Sequence, residues 1–220
     1  MPNERPPSLD PIAANRWAHM PWAGATKQAS TGSPWLHEEV ARRMAERLPF
    51  IRLQPKTWAF WNPVRAGLNA LTLLQKIYPE SKGYLTAERS DEAEWVRDKI
   101  NAPWWRPQSW FRKGLQASPL ANNSMDMVWA NMLLHQSEQP LALLKSWHKS
   151  LNVDGFVMFS ALGPDSLREL HALHERMQWG SPGLGMTDMH DWGDMLLEAG
   201  FAQPVMDMER ITLTYAHAVD

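Results

Sequence analysis

Met125 to Leu133, read as MDMVWANML, is a nearly continuous apolar run. A strand with one wet face alternates apolar and polar residues, so an unbroken run suits a central strand covered by helices on both faces. TWAFW from Thr57 and FVMFSAL from Phe156 have the same character. Amphipathic stretches separate them. SPWLHEEVARRMAERL sets Leu36, Val40, Met44 and Leu48 on one face, with Ser33 suited to the N-cap and Pro34 to the first helical position. GLNALTLLQKI carries Leu68, Leu71, Leu74 and Ile77 along one side, and QPLALLKSWHKSL starts on Pro140. DSLRELHALHERM is expected to be capped by Asp165, and DMHDWGDMLLEAGF to be stopped by Gly200. GYLTAE reads as a short strand and SDEAEWVRDKI as a helix capped by Ser90. NAPWWRPQSWFRKGLQ reads as a loop with one weak strand near Trp110, NVDG as a turn, and PVMDMERITLTYA as an alternating final strand. Strands alternating with helices imply right-handed crossovers and an α/β, doubly wound, mostly parallel sheet. The expected organisation is an N-terminal arm over 1–33 and one domain over 34–220.

Composition narrows the function more than the fold. The 22 basic and 24 acidic residues are well mixed, so no basic stripe points to nucleic acid. The absence of cysteine excludes disulfides, thiolate nucleophiles and cysteine-ligated zinc. The polar, proline-rich first 30 residues lack an apolar signal core, and no later run approaches the roughly 20 apolar residues of a membrane helix. The expectation is a cytoplasmic protein. Its 13 tryptophans are spread along the chain, which favours a bulky core with some exposed interface, and a homodimer through a tryptophan-rich surface is one expected use.

The block ASPLANNSMDMVWANMLLHQSEQPLALLKSWHKSLNVDGFVMFSALGPDSLREL resembles the second half of the class I S-adenosylmethionine-dependent methyltransferases, with their "lPl…s.D.v.sn" strand, helix, "L.pgG" turn and next buried strand. Within that superfamily it most resembles the malonyl-carrier-protein O-methyltransferases of biotin biosynthesis. Their "GPDtLrEL" and "D.hD.GD.L.eAGF..PVmDmE..tlTY" segments are nearly spelled out by Gly163 to Leu170 and by Asp188 to Tyr215. The resemblance runs from about Trp35 to the C-terminus, its second half being the specific part. It implies a Rossmann-like fold, S-adenosylmethionine as cofactor, and an acyl carrier protein or a small carboxylate as partner.

The same resemblance implies an acid at the end of the first strand for the cofactor ammonium, and a glycine-rich turn that lets backbone amides approach. Here Trp61 or Asn62 stands where the acid belongs, and Gly67 is the only nearby glycine. Glu88 in TAERS matches the ribose-binding acid after the second strand, and Gln116 is the candidate beside the adenine. Asn131 and His135 stand at the mouth of the site after the fourth strand, where the family has glutamine then tryptophan instead of His135 and Gln136. Arg65 and Arg168 are the candidate cations for a malonyl carboxylate. The family's sheet also has a strand slotted beside the fifth one, which is expected to be missing here.

Other constellations read as structural. His171 and His174 sit one turn apart but lack a third metal ligand, so no metal is expected. Asp188, Asp191 and Asp194 serve the start of the last helix, and SPGLG is a lid or linker. The missing acid, glycines and strand point together to a non-catalytic descendant, a pseudoenzyme acting as a binding or assembly module. An active carboxyl O-methyltransferase is the alternative.

Overall fold

A computed structural model of the chain describes residues 12, 15, 16, 34–87, 89, 91–95, 115–117, 119–183 and 185–214. In it β1 (Thr57–Trp61), β2 (Lys82–Thr86), β3 (Leu115–Ala117), β4 (Met125–Ala130) and β5 (Leu151–Phe159) form one sheet in the order β3-β2-β1-β4-β5. Every neighbouring pair is parallel. Helices α1 (Trp35–Arg47), α2 (Pro63–Ala66), α3 (Asn69–Ile77), α4 (Pro140–Ser150), α5 (Arg168–Met177) and α6 (Met189–Ala199) connect and cover it.

The apolar run of β4 behaves as its sequence demands. Side chains alternate across a sheet, so Met127 and Trp129 face one side while Val128 and Ala130 face the other, and all four are fully buried. Trp58 and Phe60 of β1 join Met127 and Trp129 in a cluster under Ala41, Met44 and Ala45 of α1 and Leu74 of α3. Ala59 joins Val128 and Ala130 in a second cluster under Leu144 and Trp147 of α4 and Trp192, Met195 and Leu196 of α6. The tryptophans follow suit: Trp58, Trp129 and Trp147 are core, whereas Trp35 and Trp179 are exposed.

From β1 the chain steps outward through β2 to β3, then returns to β4 on the other side of β1. The order reverses between β1 and β4, and the crevice at the C-terminal ends of those strands is the general ligand position of such sheets.

Several local expectations need correction. Pro34 is the N-cap of α1, one position before the first helical residue, and Ser33 lies outside the described residues. Asp165 does not cap α5, which begins after Leu167 at φ 56; its carboxylate pairs with Arg210 at 2.6 Å. The NVDG turn lies inside β5. Leu151 pairs with Met125 and Phe156 with Met127, and Asp154 takes φ 65 in the extra loop. Gly155 suits that loop, because a Cβ would stand 3.0 Å from the Asn152 carbonyl oxygen, a tight contact with backbone. The weak strand is Leu115–Ala117, and Trp110 lies outside the described residues, as do most of the arm and Ser90.

The alternating stretch after Pro204 is not a strand through residue 214. No backbone hydrogen bond joins residues 202–214 to a described neighbour, and alternation without a ladder does not make a strand. The segment is held by charge instead. Arg47 pairs with Asp207 at 2.6 Å and with Glu209 at 3.1 Å, and Arg43 also pairs with Glu209. Among the described residues β5 is therefore a sheet edge, and an open cleft of about 2350 Å³ lies between it, α1 and this segment.

Asp126 fixes the register of β1 on β4. Its Oδ2 accepts from the backbone N–H groups of Lys56 and Thr57, each at 2.9 Å, and from Thr57 Oγ1, while Oδ1 accepts from Asn152 Nδ2 at 2.7 Å. Burial pushes its pKa up, but the bonds from Asn152, Thr57 and Lys56 outweigh it and leave the carboxyl below its usual 3.8. A depressed folded pKa means stability that is present above the unfolded value and lost as pH falls through the folded one. Asp126→Ala should cost about 2 kcal/mol in urea denaturation at pH 7. The gap to the unsubstituted protein should narrow below about pH 3.8.

Candidate functional site

The corner between β1 and α2 makes its turn without the expected glycines. Asn62 is left-handed at φ 46 and ψ 57, a region other side chains avoid and asparagine tolerates. Its N–H donates to the Thr86 carbonyl at 2.7 Å, and its carbonyl accepts from the N–H groups of Arg65 and Ala66 at 3.0 Å. Pro63 then occupies the first turn of α2, where no N–H is needed. Asn62, Pro63, Val64 and Ala66 are all buried, so the corner is filled by its own side chains.

Arg65 continues the filling. Its Nε donates to Glu92 Oε1 at 2.7 Å, and Glu92 is fully buried in the helical residues 91–95 after β2. Glu92 Oε2 is buried without a partner among the described residues. Arg89 holds the neighbouring Asp91 at 2.8 Å, and that hydrogen bond draws its carboxyl down to about 2.

A second carboxylate reaches the corner from α1. Glu38 Oε1 accepts from the N–H of Asn69, the first residue of α3, at 3.1 Å. Gly67 lies beside it at φ 112, where a Cβ would stand 3.2 Å from Glu38 Oε2. That oxygen is also buried without a partner among the described residues.

The end of β4 supplies the third part. Asn131 is fully buried, and its Nδ2 donates to the carbonyl oxygens of His37, at 2.8 Å, and Ala66. Its Oδ1 accepts from Ser160 Oγ at 2.8 Å. His135 follows in the short helical turn Leu134–Gln136, and Leu162 N–H donates to its Nδ1 over a long 3.4 Å. Burial first, and then the neighbouring His37, lower the His135 pKa to about 4. Burial likewise lowers that of His37, whose Nδ1 is buried without a partner among the described residues.

Of the residues singled out in the sequence, the structure gathers Asn62, Arg65, Gly67, Asn131 and His135 around the C-terminal ends of β1 and β4. Trp61 packs edge-on against Trp147 at 5.8 Å, within the core. Asn131 spends its amide on protein partners. Gln116 lies in β3 opposite Tyr84, and Glu88 is outside the described residues. Arg168 sits at the start of exposed α5, bonded to Glu169 at 3.0 Å. His174 stacks edge-on against Trp179, and no cluster of three metal-ligating side chains occurs among the described residues. Three residues in the site were not singled out: His37, Glu38 and Glu92. The first two sit in the first turn of a surface-patterned helix and the third in a charged run, so only the fold brings them inward.

A profile of the methyltransferase domain matches residues 74–159. The malonyl-[acyl-carrier protein] O-methyltransferase of Gallionella capsiferriformans is 37% identical over 194 residues, covering 82% of this chain and 63% of that protein. The enzyme of the same name from Laribacter hongkongensis is 37% identical over 191 residues, covering 82% and 62%. The chain thus spans a little over three-fifths of the length of these relatives. Among solved structures, one titled "PigF with SAH" aligns at TM-score 0.57 and 14% identity, over 80% of this chain and 54% of that one. A sarcosine dimethylglycine methyltransferase structure from Galdieria sulphuraria aligns at 0.53 and 11%, over 86% and 74%. At such identities these two alignments speak to the fold.

The buried Arg65–Glu92 pair generates a stability prediction. Glu92→Ala removes the buried carboxylate that faces the Arg65 guanidinium and should cost about 3–5 kcal/mol in urea denaturation. Arg65→Met combined with Glu92→Leu should recover most of that loss, because both members of the pair are then replaced by apolar side chains.

Proposed function

From a chain that has the class I methyltransferase fold and resembles the malonyl-[acyl-carrier protein] O-methyltransferases, we propose a degenerate member of that group. It acts as a binding or assembly module for a carboxylate-bearing acyl group, carried on an acyl carrier protein or free, with weak or no binding of S-adenosylmethionine. The observation that carries this reading is the filled corner, in which Arg65 is tied to a fully buried Glu92 behind the buried Asn62-Pro63-Val64 turn.

The described residues do not fit the cofactor. Its ammonium calls for an acid at the end of β1, where Phe60 is in the core, Trp61 packs on Trp147, and Asn62 closes the turn. Its carboxylate calls for free N–H groups at a helix start, and the Asn69 N–H already bonds to Glu38. Self-association through the exposed Trp35 and Trp179 belongs to the same reading.

One observation favours a second reading, an active carboxyl O-methyltransferase. Glu38 brings a carboxylate with one unpartnered oxygen to Gly67, and such an acid can receive an ammonium that the strand end no longer serves.

Calorimetric titration with S-adenosylmethionine and S-adenosylhomocysteine separates the two. The proposal expects no saturable heat up to roughly millimolar ligand, equivalent to less than about 4 kcal/mol of binding. Micromolar binding that Glu38→Gln abolishes would instead establish the second reading, and an acceptor screen would follow.

A further inference from the structure

We infer that residues 204–213 form an ionic strap over the open edge of the sheet, latched to α1 by Arg43 and Arg47, and that salt opens it. The strap lies at the β5 edge, not at the β1/β4 crevice, so its behaviour is independent of any cofactor.

What the strap guards follows from the ladder. Ser160, just past β5, turns both its N–H and its carbonyl towards β4, bonding the Ala130 carbonyl and the Met132 N–H. Backbone groups alternate sides along a strand, so Phe156 and Met158 also turn theirs to β4, while Val157 and Phe159 turn theirs to the open edge. That edge lines the cleft together with the half-buried side chains of Phe156 and Met158. A bare strand edge is a template for unwanted pairing, and folded chains commonly lay a loop over it.

The loop here is tied by charge at both sides of the cleft. Arg47 reaches Asp207 and Glu209, Arg43 reaches Glu209, and Arg210 of the strap reaches Asp165 on the chain after β5. Arg43 and Arg47 stand one turn apart, whereas Arg42 pairs within α1 with Glu39 and Glu46. Apolar support is thin: Met206, Ile211 and Leu213 are half-buried against the cleft, but Val205 is 92% exposed and Met208 59%. All the latch pairs are accessible to solvent. Their attraction is therefore screened as the Debye length falls from about 10 Å at 0.1 M salt to about 3 Å at 1 M. Salt does not weaken apolar burial in that way, so it separates a latch from a packed lid.

The test uses the full chain. Because the sequence has no cysteine, Val205→Cys and Phe50→Cys supply the only two thiols for spin labels, both at highly exposed positions outside the latch. Double electron–electron resonance should give one narrow distance in about 50 mM KCl, and about 1 M KCl should add a longer, broader population. Arg43→Gln with Arg47→Gln should show that open population already at low salt, with little further response to KCl. Arg42→Gln, which leaves the strap pairs in place, should keep the narrow distance. Nile red, an uncharged probe of apolar surface, should bind more strongly to the double variant than to the unsubstituted chain at low salt, because the opened strap uncovers the cleft.

The same narrow distance at both salt concentrations and in the double variant would overturn the inference, since apolar packing would then hold the segment. A broad distribution under every condition, or equal Nile red binding by the latched and unlatched chains, would overturn it as well.

Discussion

One carboxamide organises the whole C-terminal edge of the sheet. Asn131 follows β4 in full burial and spends its donors on the carbonyl oxygens of His37 and Ala66 and its acceptor on Ser160 Oγ. Those partners belong to the first turn of α1, the end of α2 and the residue after β5. Each bond is worth about 1 kcal/mol net, but the groups it satisfies are buried and would cost more if left unmet. The chain then turns at Met132, φ 55, whose N–H bonds both the carbonyl and the hydroxyl of Ser160. His37, Glu38 and Arg65 therefore hang from helices that Asn131 pins, while Glu92 reaches the corner through Arg65.

The corner shows how a turn of this kind is made without glycine at its first residue. A left-handed residue is required after β1, and asparagine adopts that conformation at less cost than most side chains. Buried Asn62, Pro63, Val64 and Ala66 occupy the corner that the turn encloses. Burying Arg65 against Glu92 is no route to stability by itself, because desolvating both charges offsets most of their attraction. What the pair does supply is a direct tie between the corner and the buried Glu92 after β2.

The sheet was legible because its information is periodic. Apolar runs in β1 and β4 and the stripe of α1 report burial, and the observed clusters contain Trp58, Phe60, Met127 and Trp129 and, from the stripe, Met44 and Leu48 with Val40 packed against them. Boundaries were less legible. Asp165 looks like a cap by residue type, but the turn before α5 and the reach of Arg210 decide otherwise. The stretch after Pro204 has strand alternation, yet a ladder needs a neighbour that sequence pattern cannot guarantee. At the site, Asn62 and Arg65 were visible as departures from an expected motif. Glu38 and Glu92 were not, because a glutamate in a charged helix looks the same whether it faces water or a buried corner. His37 was hidden for the same reason.

Asn131 also joins the two halves of the site. Its amide nitrogen holds the carbonyl oxygens of Ala66, at the back of the corner, and of His37, in the first turn of α1. The main hydrophobic clusters pack α1 and α3 on one face and α4 and α6 on the other, with Trp58, Phe60, Met127 and Trp129 in the sheet between them, so a change at the crevice need not disturb the bulk of the core. That separation divides the roles: the core sets whether the chain folds, and a few caps and clamps at the strand ends set the shape of the crevice.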